Sequence, residues 1–471
     1  MTEMIQTFKV TVEVLSPLHI GSGTTLQQGY DFVVHDDRMW RIDEDALFSA
    51  TQSGEAAFDA ALLGRPAEEL LSPGDFKVGS NLFRYTMMGK PVAKSRGAEV
   101  SEQIKDVFDR AYLPGSSLKG ALRTLLLWGT FKGAGEQPDL GRLGRNARQA
   151  GRPLEQAQFG RDPNHDWLRA LRVRDSAPAD AESASVDGSL MMANVRVYPT
   201  ATSQRRRQAG SGLDIDVEAV APGTTFTTEI ALETYGFADP QAAKLGWRGQ
   251  RKWIKALPRL ARHHAAARLE TEAGYFGRSG RPTGARAFYD DLIKRLLDLP
   301  GDTLLLQVGW GAGWESKTLG SELLRKDSRQ FEGLLRDYRM TKQRHREPGD
   351  PFPISRHLAL RQGHPALPMG WLQVQIEGLD AIEVTDAPPA RAGEAAPARA
   401  GQGGGHLTGT VKRFVADRGF GFITPDDGVR EVFFHISAVK GAARTLKEGD
   451  RIRYDVEEGP KGLRATNARL E

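Results

Sequence analysis

Near one end of the chain, rings recur at alternate positions of two short segments. Phe420 and Phe422 lie in RGFGFI (Arg418–Ile423), Phe433 and His435 in VFFHIS (Val432–Ser437). Alternate residues of an extended chain share a face, so if the segments pair as strands the rings form one platform. Lys412, Arg413 and Arg418 flank it, the first two within GTVKRF (Gly409–Phe414). Bases stack on such rings for about 1–3 kcal/mol each while cations follow the phosphates. This is single-strand binding chemistry, and it requires no cofactor. A core built from these residues would not set two Phe around a Gly beside two cations and a His.

Groups that could cut rather than hold are sparser. His19, in SPLHIGSGTT (Ser16–Thr25), could act as a general acid or base on a scissile phosphate; a structural His at a strand end, hydrogen-bonded to a turn, is the favoured reading. His263 and His264 are adjacent on a helical stretch and point to different faces, so they form no i, i+4 metal pair. His345 and His357 sit in basic loops without an identifiable partner. Asp31 and Asp36–Asp37 could hold a magnesium ion, or be a solvated turn. No Ser-His-Asp set can be argued, and the chain has no cysteine, which removes thiolate metal sites, disulfides and cysteine nucleophiles together. No metal ligand set and no cofactor motif emerges.

Three glycine-marked stretches must be positioned by the fold: SPLHIGSGTT, YLPGSSLKGALRT (Tyr112–Thr124) and VGWGAGWESKT (Val308–Thr318). Glycines allow close backbone approach, and a helix N-terminus favours an anion. In the second stretch Lys119 and Arg123 share a helical face beside Gly115, Ser116 and Ser117, a possible phosphate cradle; the P-loop spacing is absent. A glycine turn capping a helix also accounts for each stretch alone.

The elements around these motifs mix strands and helices without a strand–helix–strand rhythm, which gives an α+β class. Phe8, Val10, Val12 and Val14 alternate as a first strand; 117–131 reads as a helix; EAVAPGTTFTTEI (Glu218–Ile230) reads as two strands across a Pro-Gly turn. Two helical stretches follow at Arg251–Glu270 and Ala285–Leu299. Residues 385–405, rich in Ala, Pro and Gly, read as a flexible linker. It divides a large region, 1–384, with two halves meeting near residue 200, from a module at 406–471.

The 471 residues carry a net charge of only +4, so any polyanion contact must come from local clusters such as Arg205, Arg206 and Arg207. No run is long and apolar enough for a membrane span and no signal peptide is visible. The expected setting is cytoplasmic.

The module closely resembles the cold-shock domain, a five-stranded OB-fold barrel, through to EEGPKGLRATN (Glu457–Asn467). By that resemblance Lys412, Phe414, Phe420, Phe422, Phe433 and His435 contact a single strand of RNA or DNA. Arg413 stands where the family usually has Trp, Ile436 where an aromatic is common, and Ala443 where an apolar or aromatic residue is common. Fewer rings imply weaker, more salt-dependent binding.

The large region resembles the RAMP superfamily, RNA-binding proteins of CRISPR systems built on ferredoxin-like (RRM-like) folds. The carrying residues are PLHIGSG, YLPGSSLKGALRT, LRVRDS (Leu171–Ser176), EAVAPGTTF, GWGAGWESKT and ALPMGW (Ala366–Trp371). More closely it resembles the family of fifth subunits of the type III-A (Csm) effector complex. The resemblance implies a CRISPR RNA-binding subunit in antiviral defence that caps the 3′ end of the guide, aids its maturation and adjoins other RAMP subunits. Gly21, Ser22, Gly23, Gly115, Ser116, Ser117, Lys119, Arg123, Lys317 and Thr318 would then touch RNA or neighbouring subunits. Two alternatives stand beside it: a RAMP-type endoribonuclease processing CRISPR RNA, and an RNA chaperone or regulator.

Overall fold

A computed structural model describes the chain except residues 1–3, 53–65, 93–96, 135–137, 145, 148, 180–188, 200–212, 279, 321–327, 341–351, 354, 380–381, 383–406, 416–419, 427–431, 436–437, 440–446, 460–461 and 471. The expected linker, Arg205–Arg207, His345, Arg418, Ile436 and Ala443 lie outside the described residues. Two compact units emerge: a larger one built on residues 1–297 and 302–387, and a smaller one that contains Pro388–Glu471.

The larger unit opens with β1 (Ile5–Val14), β2 (Gly21–Gln27), β3 (Phe32–His35), β4 (Arg38–Ile42), helix α1 (Glu44–Gln52), β5 (Phe83–Met88) and β6 (Glu99–Gln103). Helices α2 (Gly115–Ala134) and α3 (Arg152–Phe159) precede β7 (Leu171–Val173), β8 (Leu190–Pro199), β9 (Asp214–Val220) and β10 (Thr225–Glu233). Then come α4 (Gln241–Leu245), α5 (Arg251–Lys255), α6 (Leu257–Phe276), α7 (Thr283–Asp298), β11 (Thr303–Gln307), α8 (Trp314–Lys317) and α9 (Ser328–Asp337). Strands β12 (Ser355–Arg361), β13 (His364–Pro368) and β14 (Trp371–Ile376) close the unit.

Alternation in β1 puts Phe8, Val10, Val12 and Val14 on one buried face. The strand is central in a five-stranded sheet of order β11–β14–β1–β10–β7. Val12 lies across from Phe226 on one side and from Val374 on the other. Into the same core α2 sends Leu118, Leu122, Leu125 and Leu126, a stripe at helical spacing. Each such leucine contributes about 1.5–3 kcal/mol by leaving water. The helix packs on α6 and β7.

A second sheet runs β2–β6–β9–β8–β5–β4–β3, with β12 paired to β8 and β13 to β12. The two strands of EAVAPGTTFTTEI are β9 and β10, but they do not pair with each other. The Pro222–Gly223 turn sends them to different sheets, and Val14 clamps the fork, donating to the Thr224 carbonyl (2.9 Å) and accepting from Gly223 N–H (2.7 Å). Strands β8 and β9, on either side of residue 200, are hydrogen-bonded neighbours. The stretch 251–270 is broken at Ala256 into α5 and α6, because Pro258 in the first turn of α6 has no N–H with which to continue the preceding helix.

The smaller unit is a closed barrel of β15 (Leu407–Val415), β16 (Phe420–Pro425), β17 (Val432–His435), β19 (Gly462–Leu470) and β18 (Arg451–Gly459), in that spatial order. Val411, Ile423, Val432, Phe434, Ile452, Tyr454, Ala465 and Ala468 fill it. No described helix in the chain is long and apolar enough to cross a membrane.

Candidate nucleic-acid interface

Strand register decides which barrel side chains can meet a ligand. Phe422 pairs with Phe433, Phe420 with His435, and Gly421 with Phe434 between them. Phe422, Phe433 and His435 hold outer positions. The Gly421–Phe434 pair faces in, where Phe434 is fully buried. Gly421 has no alternative: a Cβ there would lie 2.4 Å from the Arg413 carbonyl and 2.6 Å from the Phe434 ring. The glycine of RGFGF therefore makes room for the core while Phe422 after it takes an outer position.

An irregularity between Val411 and Arg413 interrupts the alternation of β15. Lys412 and Arg413 are consecutive and both exposed. Phe414, expected on the binding face, instead lies across from Gly421 and stacks on Phe434, with ring centroids 5.8 Å apart and planes 16° apart. Its half-buried ring is packed against the core. The bulge shifts it inward. The same bulge puts Arg413 directly beside Phe422, and Phe433 has Arg464 of β19 as its neighbour on the far side. The outer face thus carries one cross-strand row, Arg413–Phe422–Phe433–Arg464. The two rings meet edge-on at 5.7 Å. Arg464 was not singled out by sequence, because only the parallel pairing of β17 with β19 reveals it.

In the larger unit the first and third glycine stretches come together. Trp310 N–H donates to the His19 carbonyl at 2.8 Å, and the Trp310 ring stands between the rings of His19 (5.8 Å) and His357 (4.9 Å). His19 itself is 3% exposed, its Nδ1 bonded to the Glu218 carbonyl at 2.7 Å. Burial lowers its pKa, so it is held neutral and away from solvent. His357 is half-buried, and burial, with Lys317 nearby, lowers it as well.

Gly21, Ser22 and Gly23 lie exposed on β2 at the sheet edge. Beneath them is a chain of polar contacts: the Ser22 hydroxyl donates to Glu102 (2.8 Å), Glu102 faces Lys105 (3.4 Å), and Lys105 Nζ reaches Glu218 (2.6 Å) and the Tyr85 hydroxyl (2.7 Å). Tyr85 donates to the other Glu218 oxygen at 2.6 Å, and burial followed by Glu218 raises its pKa far above the ordinary phenol range. The network ties the strand ends under β2 together.

The second stretch is differently disposed from the phosphate cradle expected of it. Gly115 N–H, at the start of α2, already donates to the Asp175 carboxylate at 2.7 Å, and a Cβ on Gly115 would strike the Val173 carbonyl at 2.3 Å. Arg123 is bonded to Glu155 (2.9 Å) and Asp166 (2.7 Å) and lies 4.2 Å from the Phe159 ring centroid. Both anion-seeking groups are met by this chain's own carboxylates. Ser116 is exposed, Ser117 and Lys119 half-buried, and burial lowers the Lys119 pKa. Lys317 is exposed at the end of α8 with a pKa lowered by partial desolvation, while the Thr318 hydroxyl donates to the Trp314 carbonyl at 3.0 Å.

The remaining candidates do not converge. Asp31 accepts from Gln27 N–H (2.7 Å) and Asp37 pairs with Lys90 (2.6 Å). Among the described residues no group of three or more His, Asp or Glu could share a metal ion. His264 is buried against Trp128.

Comparison with known proteins agrees with this architecture. The family description "RAMP superfamily" matches residues 11–316, well over half the chain. The chain belongs to the RAMP superfamily. Residues 407–470 match the "'Cold-shock' DNA-binding domain". This RAMP protein is 26% identical over 354 residues to the CRISPR system Cms protein Csm5 of Mycobacterium tuberculosis, covering 68% of this chain and 84% of that one. Its barrel is 51% identical over 61 residues to the cold shock-like protein CspA of Shewanella violacea, 13% of this chain and 87% of that one. In fold, it is similar to a chain of a Csm–crRNA–target RNA ternary complex, with a TM-score of 0.55 and 24% identity, covering 79% of this chain and all of that one. The crystal structure of T. onnurineus Csm5 aligns at 0.53 and 23%, covering 77% and 99%. The α+β RAMP fold with an appended cold-shock OB barrel is the architecture expected from sequence.

Proposed function

We propose that this RAMP protein is the Csm5-type subunit of a type III-A CRISPR effector ribonucleoprotein, where it caps the 3′ end of the guide RNA and aids maturation of that end. The observation that carries this reading is the extent of the likeness: one relative named Csm5 is matched over 84% of its length. The chain from the Csm–crRNA–target RNA complex is matched over its whole length. The work is binding and assembly. His19, the side chain best suited by type to cut RNA, is 3% exposed and bonded to a carbonyl, which supports holding over cutting.

The barrel adds a single-strand grip. Its cross-strand row of two rings between two arginines is suited to an unpaired strand, bases on Phe422 and Phe433 and phosphates on Arg413 and Arg464. Tethered to a guide-binding subunit, even a weak grip acts at high local concentration. The test is affinity purification of the full chain from cells that carry the CRISPR locus. Short CRISPR RNA and companion RAMP subunits should co-purify, and guides should change in length or retention when residues after 384 are deleted. Recovery of a free, RNA-less monomer would refute the assignment.

A further inference from the structure

Beyond Arg464 the outer positions of β19 continue to Arg469, and Arg469 stands directly across from Arg453 of β18. Both are exposed, and neither has a carboxylate partner among the described residues. Like charges facing each other in an antiparallel pair destabilise a sheet. The barrel elsewhere meets such charge: Arg451, two residues before Arg453, is bonded to Asp426 at 2.5 Å. At Arg453 and Arg469 it does not. No ring is described at the outer positions here; between the arginines β19 carries half-buried Thr466 and exposed Asn467, and Asp455 of β18 stands across from Thr466, its carboxylate accepting from the Asn467 amide at 3.1 Å. This face can hold phosphate but cannot stack bases.

Its position gives it a direction. Arg464 adjoins Phe433 in register, so the aromatic row runs into Arg464, and β19 continues past Thr466, which faces Asp455 of β18, to the Arg469–Arg453 pair. We propose that Arg464, Arg469 and Arg453 form a phosphate track that carries a single strand from the aromatic platform round the barrel, held there by its backbone alone. The track extends the single-strand reading of the platform and concerns different residues, so the two can fail separately.

Full-length protein would be titrated with oligo(dT) of about 6 and about 15 nucleotides, lengths towards the two ends of the range of OB-fold site sizes. In the wild type the longer strand should bind about tenfold tighter, with a steeper salt dependence. Arg453→Gln with Arg469→Gln should erase that gain and lower the slope of log K against log salt by about 1.4, at about 0.7 per lost phosphate contact. Affinity for the short strand should be unchanged, which also shows that the barrel is folded. Arg453→Lys with Arg469→Lys should restore the slope. Phe422→Ala with Phe433→Ala should instead weaken the short strand. If the wild type ignores the short strand but the long strand still depends on the two arginines, the platform reading falls and the track stands. An unchanged gain and slope in the Gln variant, or no binding of either strand, overturns the track.

Discussion

Phe422 and Phe433 face each other across β16 and β17 with their rings at 72°, each flanked on its other side by an arginine in register. A base stacked on one ring therefore has its phosphates within the span of a cation. Replacing either Phe with Ala should weaken single-strand binding by about 1–3 kcal/mol. Because the rings touch, the double replacement should cost less than the sum. Fluorescence anisotropy with labelled oligonucleotide measures both, and full additivity would contradict the shared platform.

Gly421→Ala probes the inner side of the same strand. The new methyl meets a carbonyl and the Phe434 ring well inside contact distance. Overpacking of this kind costs about 1–3 kcal/mol. Hydrogen exchange should quicken across 407–470 and stay unaltered in β1. Unchanged protection of the barrel would show that Phe434 yields freely.

Arg123 separates the two meanings of a basic helix. Its guanidinium is engaged by Glu155 and Asp166. Arg123→Gln should lower stability by about 1 kcal/mol, the scale for partly exposed pairs, and leave RNA affinity within about twofold. A loss of affinity beyond about tenfold would mean that RNA displaces the carboxylates.

Lys105→Met would strand Glu218, which has no exposed surface. Removing one partner of a buried pair costs about 3–5 kcal/mol. Adding Glu218→Gln should recover a large part of it, which chemical denaturation can read. No recovery would place the damage in packing instead of charge.

Acid should weaken the larger unit through its histidines. Burial, with Arg268 beside it, pushes His264 down to about 3. The unfolded chain titrates near 6.5, so between these values it binds the extra proton. Stability is complete above about 6.5 and falls as the pH drops through that value, by up to about 1.4 kcal/mol per pH unit for one histidine. His19 and His357 are lowered in the same direction. Denaturation curves of His264→Phe should show a shallower loss between about pH 7.5 and 5.5 than the wild type. Parallel curves would sink this account.

Local periodicity carried much of this in the sequence. Period two exposed β1 and the ring pairs of β16 and β17; helical spacing exposed the leucines of α2. What it could not carry was register. The bulge beside Lys412 is invisible in GTVKRF, so nothing in the pattern shows that Phe414, expected to contact a strand, is half-buried and stacked on Phe434. Arg464 joins the row only through a parallel neighbour. Arg123 reads as a free cation until α3 and the turn before β7 bring Glu155 and Asp166 to it. Likewise His19 and Trp310, in stretches far apart in the chain, form one corner through a single backbone hydrogen bond. Each of these depends on residues distant in sequence, which local pattern does not encode.

The central place of β1 bears on how the protein is made. Its two partners, β10 and β14, emerge from the ribosome long after it, β14 some 360 residues later. At about 5–20 residues per second that is roughly 20–70 s during which a strand with an apolar face keeps at least one edge open. A newborn chain of this kind is a natural client for a chaperone that shields strands, and slowing translation before β14 should lengthen its exposure to aggregation.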